Sequence, residues 1–306
     1  MNKIISLLGP TASGKTKFAI FLKRIFDLEI ISIDSVMIYK EFNIGSAKPN
    51  ANTLKKIPHK MIDIIEPYDK FSVAKFYKDL MFHINNIHSE GKVPILVGGS
   101  MMYFKIFLSG GLSDLKNVSK DTKNKVQEMF DSKSLEDIYA FLQEIDPMIA
   151  KNINCNDKYR ITRMLEIYFS NNEIPSIALK RCSKNVQYFN NLNLSIIPNN
   201  RFLLHKNIEK RTNAMIEEGL VDEVANIVQK YPKRVLPAMS TIGYKQVNQY
   251  LLNELDLSDM KSNIMAATRQ LAKRQITWLR HLDATTVYTS MDYDNIEHRV
   301  REFLKS

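Results

Sequence analysis

With 306 residues, 44% hydrophobic and 25% charged, the chain can bury one substantial core and a second, smaller one, in the proportions of a soluble globular protein. No apolar run is long enough to span a membrane, "MNKIISLLGP" enters the first motif too soon to hold a removable leader, and Cys155 and Cys182 lack the CxxC spacing or His pair of a zinc site. The net charge of +10, from 43 Lys and Arg against 33 acids, points toward an anionic partner.

In chain order, the first element is the apolar run "IISLLG" (4–9), read as a buried strand. It leads into "GPTASGKT" (9–16), a Gly, four residues, then Gly-Lys-Thr. Glycines there let the backbone turn so that successive N–H groups face one anion at the start of the next helix. Lys15 adds a point charge, and the Thr16 hydroxyl suits a Mg²⁺ ion. Gly9, Pro10, Thr11, Ala12, Ser13, Gly14, Lys15 and Thr16 are therefore the expected phosphate cradle.

A helix is predicted over 15–26, a strand at 29–34 ("EIISID"), a helix over 71–90, a strand at 93–99 ("VPILVGG") and another at 194–198 ("LSIIP"). This alternation predicts an α/β fold, a P-loop-type parallel sheet core flanked by helices. From 112 to 188 the pattern changes to helical spacing alone, in "SKDTKNKVQEMFDS", "SLEDIYAFLQEI" and "DKYRITRMLEIYFS". The expected organisation is a core of 1–111 plus 190–306 and a helical insertion domain at 112–189. Two long amphipathic helical segments follow the fourth strand, "KNIEKRTNAMIEEGLVDEVANIVQKY" and "KSNIMAATRQLAKRQITWLRHL".

An NTPase usually brings a second Mg²⁺-directed Asp at another strand end. Here "VPILVGGS" closes on Gly98-Gly99-Ser100, and only the second strand delivers an acid, Asp34, beside Ser35. Carboxyl ends of parallel strands face the ligand crevice, so the cradle, Asp34 and residues 98–100 should converge. Asp34 is read as acceptor of a proton from an attacking group, with local capping as the alternative. Charge is also segregated: between 261 and 281 stand Lys261, Arg269, Lys273, Arg274 and Arg280 with no acid. Seven basic residues between 180 and 211 face only Glu209. Such blocks suit a polyanion.

The strings "GPTASGKT", "DSVMIYKEFNIGSAKP", "PHKMIDII", "GKVPILVGGSMMYFKIFLSGG", "NDKYRITRMLEIY", "MIEEGLVDEV", "TIGYKQ" and "LAKRQITWLR" occur in this order. Together they resemble the bacterial tRNA dimethylallyltransferases (tRNA isopentenyltransferases) from residue 3 to about 282. The resemblance implies that the cradle holds the diphosphate of dimethylallyl diphosphate with Mg²⁺ on Thr16. The implied acceptor is the exocyclic amine of the adenine directly 3′ of the anticodon, in tRNAs reading codons that begin with U.

Under that resemblance Lys15, Asp34, Ser100 and Arg211 are the catalytic candidates, with Arg201 a weaker second cation beside Arg211. The implied RNA contacts begin with Asp34, Ser35, Val36, Met37, Ser100 and Lys123. They continue with Tyr159, Arg160, Ile161, Thr162 and Arg163, then Ser240, Gly243, Tyr244 and Lys245, then Lys273, Arg274, Gln275, Trp278 and Arg280. Tyr244 and Trp278 are candidate stacking surfaces, although Trp278 fits a core position with Ile276 and Leu279 slightly better. The expected protein is a cytoplasmic monomer that engages the tRNA anticodon stem-loop, with its helical insertion as a clamp.

Four departures stand out: Met37 for the family's Gln, Lys60 for a second His, no Gly after Ser100, and Lys123 for Arg. Lys cannot reproduce a two-pronged phosphate contact. Two other readings share the cradle: transfer of the same group to free AMP or ADP, and a small-molecule kinase.

Overall fold

The computed structural model describes residues 2–181, 189–282, 286–289 and 292–306. Cys182 lies outside them, and Cys155 is an exposed free thiol. The chain divides into two compact units, Met1–Lys105 with Phe189–Ser306, and Ile106–Tyr188.

In chain order the first unit opens with β1 (Lys3–Leu8), α1 (Lys15–Ile25), β2 (Leu28–Ile33), α2 (Ala51–Lys56), β3 (His59–Lys60), α3 (Val73–Ser89), β4 (Val93–Gly98) and α4 (Met101–Leu108), the last running across the division. The second unit carries α5 (Lys120–Ser132), α6 (Leu135–Ile145), α7 (Pro147–Ala150), α8 (Lys158–Asn171) and α9 (Pro175–Ala178). The first unit resumes with β5 (Asn190–Ile196), α10 (Arg201–Glu217), α11 (Leu220–Lys230), α12 (Tyr244–Leu251), α13 (Leu257–Arg280), β6 (Thr286–Tyr288) and α14 (Tyr293–Lys305).

Among the described residues six strands form one parallel sheet in the order β3-β2-β4-β1-β5-β6. The expected α/β parallel sheet is present, with two strands more than the sequence showed. β1 sits in the middle, and Ile4, Ile5, Leu7 and Leu8 are all fully buried. Burial on both faces is why this strand reads as a nearly continuous apolar run, broken by Ser6, whose buried hydroxyl donates to Asn191 at 3.0 Å. Each such Leu or Ile contributes roughly 1.5–3 kcal/mol by leaving water. Phe18, Ala19 and Leu22 of α1 close one face of the sheet, joined by Ile296 and Val300 of α14.

The segment 206–231, read as one helix, is two. α10 ends at Glu217, and Gly219 at φ +96° caps the start of α11. A left-handed residue cannot continue an α-helix, so the chain turns there. α13 is the longest helix described, 24 residues and thus about 36 Å. Its buried positions Met260, Ile264, Ala272, Gln275 and Leu279 fall on one face. That face reaches from the core around Tyr244 and Leu220 to the one formed with Leu204 and Ile208 of α10.

The second unit has its own core, in which Val126, Ile138, Leu142, Ile161 and Leu165 are buried together. Ile161 is therefore core and not an RNA contact, a correction to the expectation drawn from "YRITR". Its helices α5 and α6 start on side-chain caps, Ser119 of α5 accepting from the Thr122 amide and Ser134 of α6 forming a reciprocal box with Asp137. No helix among the described residues is long and apolar enough to cross a membrane.

Candidate active site

The cradle lies between β1 and α1. Gly14 caps α1 at φ +91° and Ala12 is also left-handed at φ +61°. Such turns gather backbone N–H groups around a concavity suited to an anion. At Gly9 a Cβ would meet the Ile196 carbonyl oxygen at 2.4 Å, so only glycine lets the loop leave the sheet here. Ser13 Oγ is buried without a hydrogen-bond partner. That hydroxyl is therefore free to donate to an anion in the loop.

Two distant side chains complete the loop. Gln275 of α13 accepts from the Thr11 amide at 2.8 Å and donates to the Gly99 carbonyl at 2.8 Å, joining the loop to the end of β4. Arg211 of α10 donates to the Thr11 hydroxyl at 3.1 Å. The sequence placed Gln275 among RNA contacts, yet it is buried and both ends of its amide are used. Nothing in its neighbourhood signals this, because the partners lie 264 and 176 residues away.

Thr11, Lys15, Thr16, Asp34, Gly98, Gly99 and Arg211 line one cavity of about 420 Å³. Ser35, Val36, Met37, Ser240 and Gly243 also line it, as do Gly45, Ser46, Ala47 and Pro49 of the loop after β2. An apolar wall comes from Ile208, Met215, Ile264 and Leu271. Ser100, the next residue after Gly99, is not among the described lining residues; its carbonyl accepts from the Tyr103 and Phe104 amides at the start of α4. Arg201 is exposed, with its Nε donating to His205 at 3.3 Å, and it does not line the cavity either.

Electrostatics single out two cations. Burial first, and then the Arg211 charge, push the Lys15 amine down to about 7 against the opposing pull of Asp34. Burial likewise holds Arg211 below its usual range against the pull of Asp34. Among the described residues Lys15 Nζ donates to one group, the Pro10 carbonyl, at 2.7 Å. Leaving buried cations without an anion costs several kcal/mol, and an anion in the cavity relieves it.

Asp34 makes the local cap that was its alternative reading, and it does so with one oxygen only. Its Oδ1 accepts from the amides of Val36 at 2.8 Å and Met37 at 3.1 Å, closing the turn after β2. Oδ2 has no hydrogen bond among the described residues. Tyr103, stacked on Phe76 with centroids 3.8 Å apart, has its hydroxyl pushed up to about 12 by burial, then by Tyr39 and Asp34. His59 also lines the cavity, a residue the sequence noted only for its neighbour Lys60.

The residues expected to meet RNA divide sharply. Lys273, Arg274 and Thr277 line a surface groove with Trp278, which is half-buried with Lys105 Nζ 5.5 Å above its ring. Lys245 and Arg280 are exposed. In the second unit Lys123 and Tyr159 are exposed, while Arg160 pairs with Asp157 and Arg163 with Glu166, and Thr162 bonds back to the Lys158 carbonyl. Tyr244 corrects the expectation: it is fully buried and its hydroxyl donates to Glu223 at 2.7 Å, so its ring offers no face to a base.

A P-loop-type α/β sheet whose strand ends gather a phosphate cradle, two buried cations and one free carboxylate oxygen defines an enzyme acting on a phosphorylated substrate. The match is specific: the family described as IPP transferase covers residues 37–282, and the chain belongs to it. It is 40% identical over 309 residues to the tRNA dimethylallyltransferase of Legionella pneumophila (strain Corby), covering 99% of this chain and 98% of that one. Identity is 42% over 311 residues to that of Coxiella burnetii (strain RSA 331 / Henzerling II), covering 100% and 99%. Among solved structures, the full-length tRNA isopentenylpyrophosphate transferase of Bacillus halodurans matches with TM-score 0.71 and 30% identity, covering 100% of this chain and 96% of that one. A eukaryotic dimethylallyltransferase captured acting on tRNA matches with TM-score 0.80 and 26% identity, covering 95% and 75%.

Proposed function

We propose that this chain transfers the dimethylallyl group of dimethylallyl diphosphate to the exocyclic amine of the adenine directly 3′ of the anticodon, in tRNAs reading codons that begin with U. The observation that carries this reading is the gathering of Lys15 and Arg211 in one cavity with Asp34, the one acid among its described lining residues. The names borne by relatives aligned over almost the whole chain support the donor and the acceptor.

In the step proposed, the amine nitrogen attacks the allylic carbon and the carbon–oxygen bond to diphosphate breaks. The electron pair departs on diphosphate, and the amine proton passes to Asp34 Oδ2. The cradle amides, Lys15 and Arg211 neutralise the leaving anion. Asp34, tethered through Oδ1, presents its other oxygen as the base. The apolar wall of Ile208, Met215, Ile264 and Leu271 suits a five-carbon tail.

Among the described residues no cluster of three His, Cys, Asp or Glu side chains could hold a metal by itself. The Thr16 hydroxyl in the cavity wall is the side chain that would hold a Mg²⁺ ion. Such an ion adds positive charge against the leaving group. For the acceptor, the base leaves its stack in the anticodon loop, at less cost than a paired base. The basic groove of Lys273, Arg274 and Trp278 and, separately, the exposed Lys123 and Tyr159 of the helical unit hold the RNA. That unit serves as the clamp on the anticodon stem-loop.

Incubating the protein with dimethylallyl diphosphate, Mg²⁺ and either tRNA or AMP, followed by mass spectrometry, tests this. A five-carbon adduct on tRNA alone is expected. An adduct on AMP alone moves the acceptor to free nucleotide, and ATP consumption with unmodified RNA removes prenyl transfer.

A further inference from the structure

Three of the family-like strings, "NIGSAKP", "EEGLVDEV" and "TIGYKQ", carry no reactive group in the step above, yet they meet at one carboxylate. Glu223 Oε2 accepts from the amides of Asn43 at 3.1 Å and Ile44 at 2.8 Å. Its Oε1 accepts from the Gly45 amide at 3.2 Å and the Tyr244 hydroxyl at 2.7 Å. Four donors on one carboxylate saturate it. Tyr244 lies so close behind the loop that a Cβ on Gly45 would stand 2.6 Å from its ring, which fixes glycine there.

Burial, the Glu223 charge and the hydrogen bond all push the Tyr244 hydroxyl up, so it stays a donor. The other end of the loop is fastened as well: Lys48 Nζ donates to the Tyr39 carbonyl at 3.0 Å and to Asp63 at 2.6 Å. Gly45, Ser46, Ala47 and Pro49, at or beside these anchors, line the cavity that contains Asp34 and Arg211. A loop without strand partners would otherwise be among the most mobile parts of such a site.

We propose that Glu223 is a positioning residue for transfer. Its carboxylate fixes residues 43–49 as one wall of the reacting cavity, so that acceptor and allylic carbon meet in line. This role rests on the reading of the cavity as a prenyl-transfer site. Glu223 lines no part of the cavity and acts only through the loop. Diphosphate capture, the task of the cradle and Arg211, should therefore be spared.

The test compares wild type with Glu223→Gln and Tyr244→Phe. Glu223→Gln replaces an acceptor-only group by one whose amide nitrogen faces backbone N–H donors. Hydrogen exchange at Asn43, Ile44 and Gly45 should then quicken by at least about tenfold. Turnover of tRNA should fall by about ten- to a hundredfold, as misplacement near 1 Å implies. Inorganic diphosphate affinity should stay within about twofold, because the cradle is intact. Tyr244→Phe, which removes one donor of four, should cost a smaller share of turnover, and the double variant should be no worse than Glu223→Gln alone.

Wild-type turnover in Glu223→Gln overturns the proposal, as does unchanged exchange at 43–45. Parallel loss of diphosphate binding and turnover overturns it too, since that marks general disruption. If Glu223→Gln does not fold, Tyr244→Phe decides by the same split between turnover and diphosphate affinity. Should wild type fail to prenylate any RNA, the functional reading falls alone, and the exchange rates decide whether Glu223 fixes the loop.

Discussion

The Arg211 guanidinium donates to the Thr11 hydroxyl at 3.1 Å, across 200 residues of sequence, and so places a charge from α10 inside the phosphate loop. Arg211→Lys keeps the charge but not the planar fork. Affinity for dimethylallyl diphosphate should drop about ten- to a hundredfold, measured by titration with inorganic diphosphate. tRNA binding should hardly move. Unaltered diphosphate affinity would take Arg211 out of donor binding.

Asp34→Asn preserves an acceptor oxygen for the Val36 and Met37 amides, so the turn after β2 survives. What disappears is the basic oxygen. Single-turnover transfer should slow by about 10²- to 10⁴-fold with tRNA affinity retained. A variant that works at the parental rate shows that the proton goes elsewhere, to diphosphate or water.

Lys15, with its amine at about 7, gives two pH signatures. The unfolded chain has this amine near 10.5, so between 7 and 10.5 it binds more protons than the folded one. The ligand-free protein should therefore gain stability as pH rises through that window, and Lys15→Met should lose the gain. Thermal melts at several pH values read it. In the proposed role the charged form of Lys15 meets the diphosphate, so affinity for dimethylallyl diphosphate should weaken as pH rises above about 7, by up to about tenfold per unit. A flat profile between pH 7.5 and 9 contradicts it.

Gln275→Leu leaves the Thr11 amide and the Gly99 carbonyl without partners inside the protein. Each orphaned group costs about 1–3 kcal/mol. Melting should fall accordingly, and the donor KM should rise more than that for tRNA. Equal rises would place Gln275 on the RNA path instead.

The pair Lys273→Ala and Arg274→Ala tests the groove beside Trp278. Removing two phosphate contacts should flatten the dependence of log affinity on log salt by about 1–2 units while leaving diphosphate binding alone. An unaltered slope would take both out of the interface.

Much of this was legible in advance, for a physical reason. Strands covered on both faces, such as β1 and β4, are apolar at nearly every position, and such runs stand out in a sequence. β3 and β6 have two and three residues, too few to show a pattern, and Thr286 and Val287 are exposed even as strand. The cradle and Asp34 were legible because local spacing creates them. Tyr244 and Ile161 misled because a motif string does not say which face of its helix turns inward. Gln275 and Glu223 were invisible as anchors, since what they hold is remote along the chain.

The interleaving of β5 beside β1, with Arg211 and Gln275 arriving later still, has a consequence during synthesis. The glycine turn leaves the ribosome early, but its anchors follow some 200 and 260 residues afterwards. At roughly 5–20 residues per second, a nascent chain spends about 10–50 seconds with that turn exposed and unbraced. Until then the loop lacks both of its remote braces, so it takes its folded form only after residue 275 has been made.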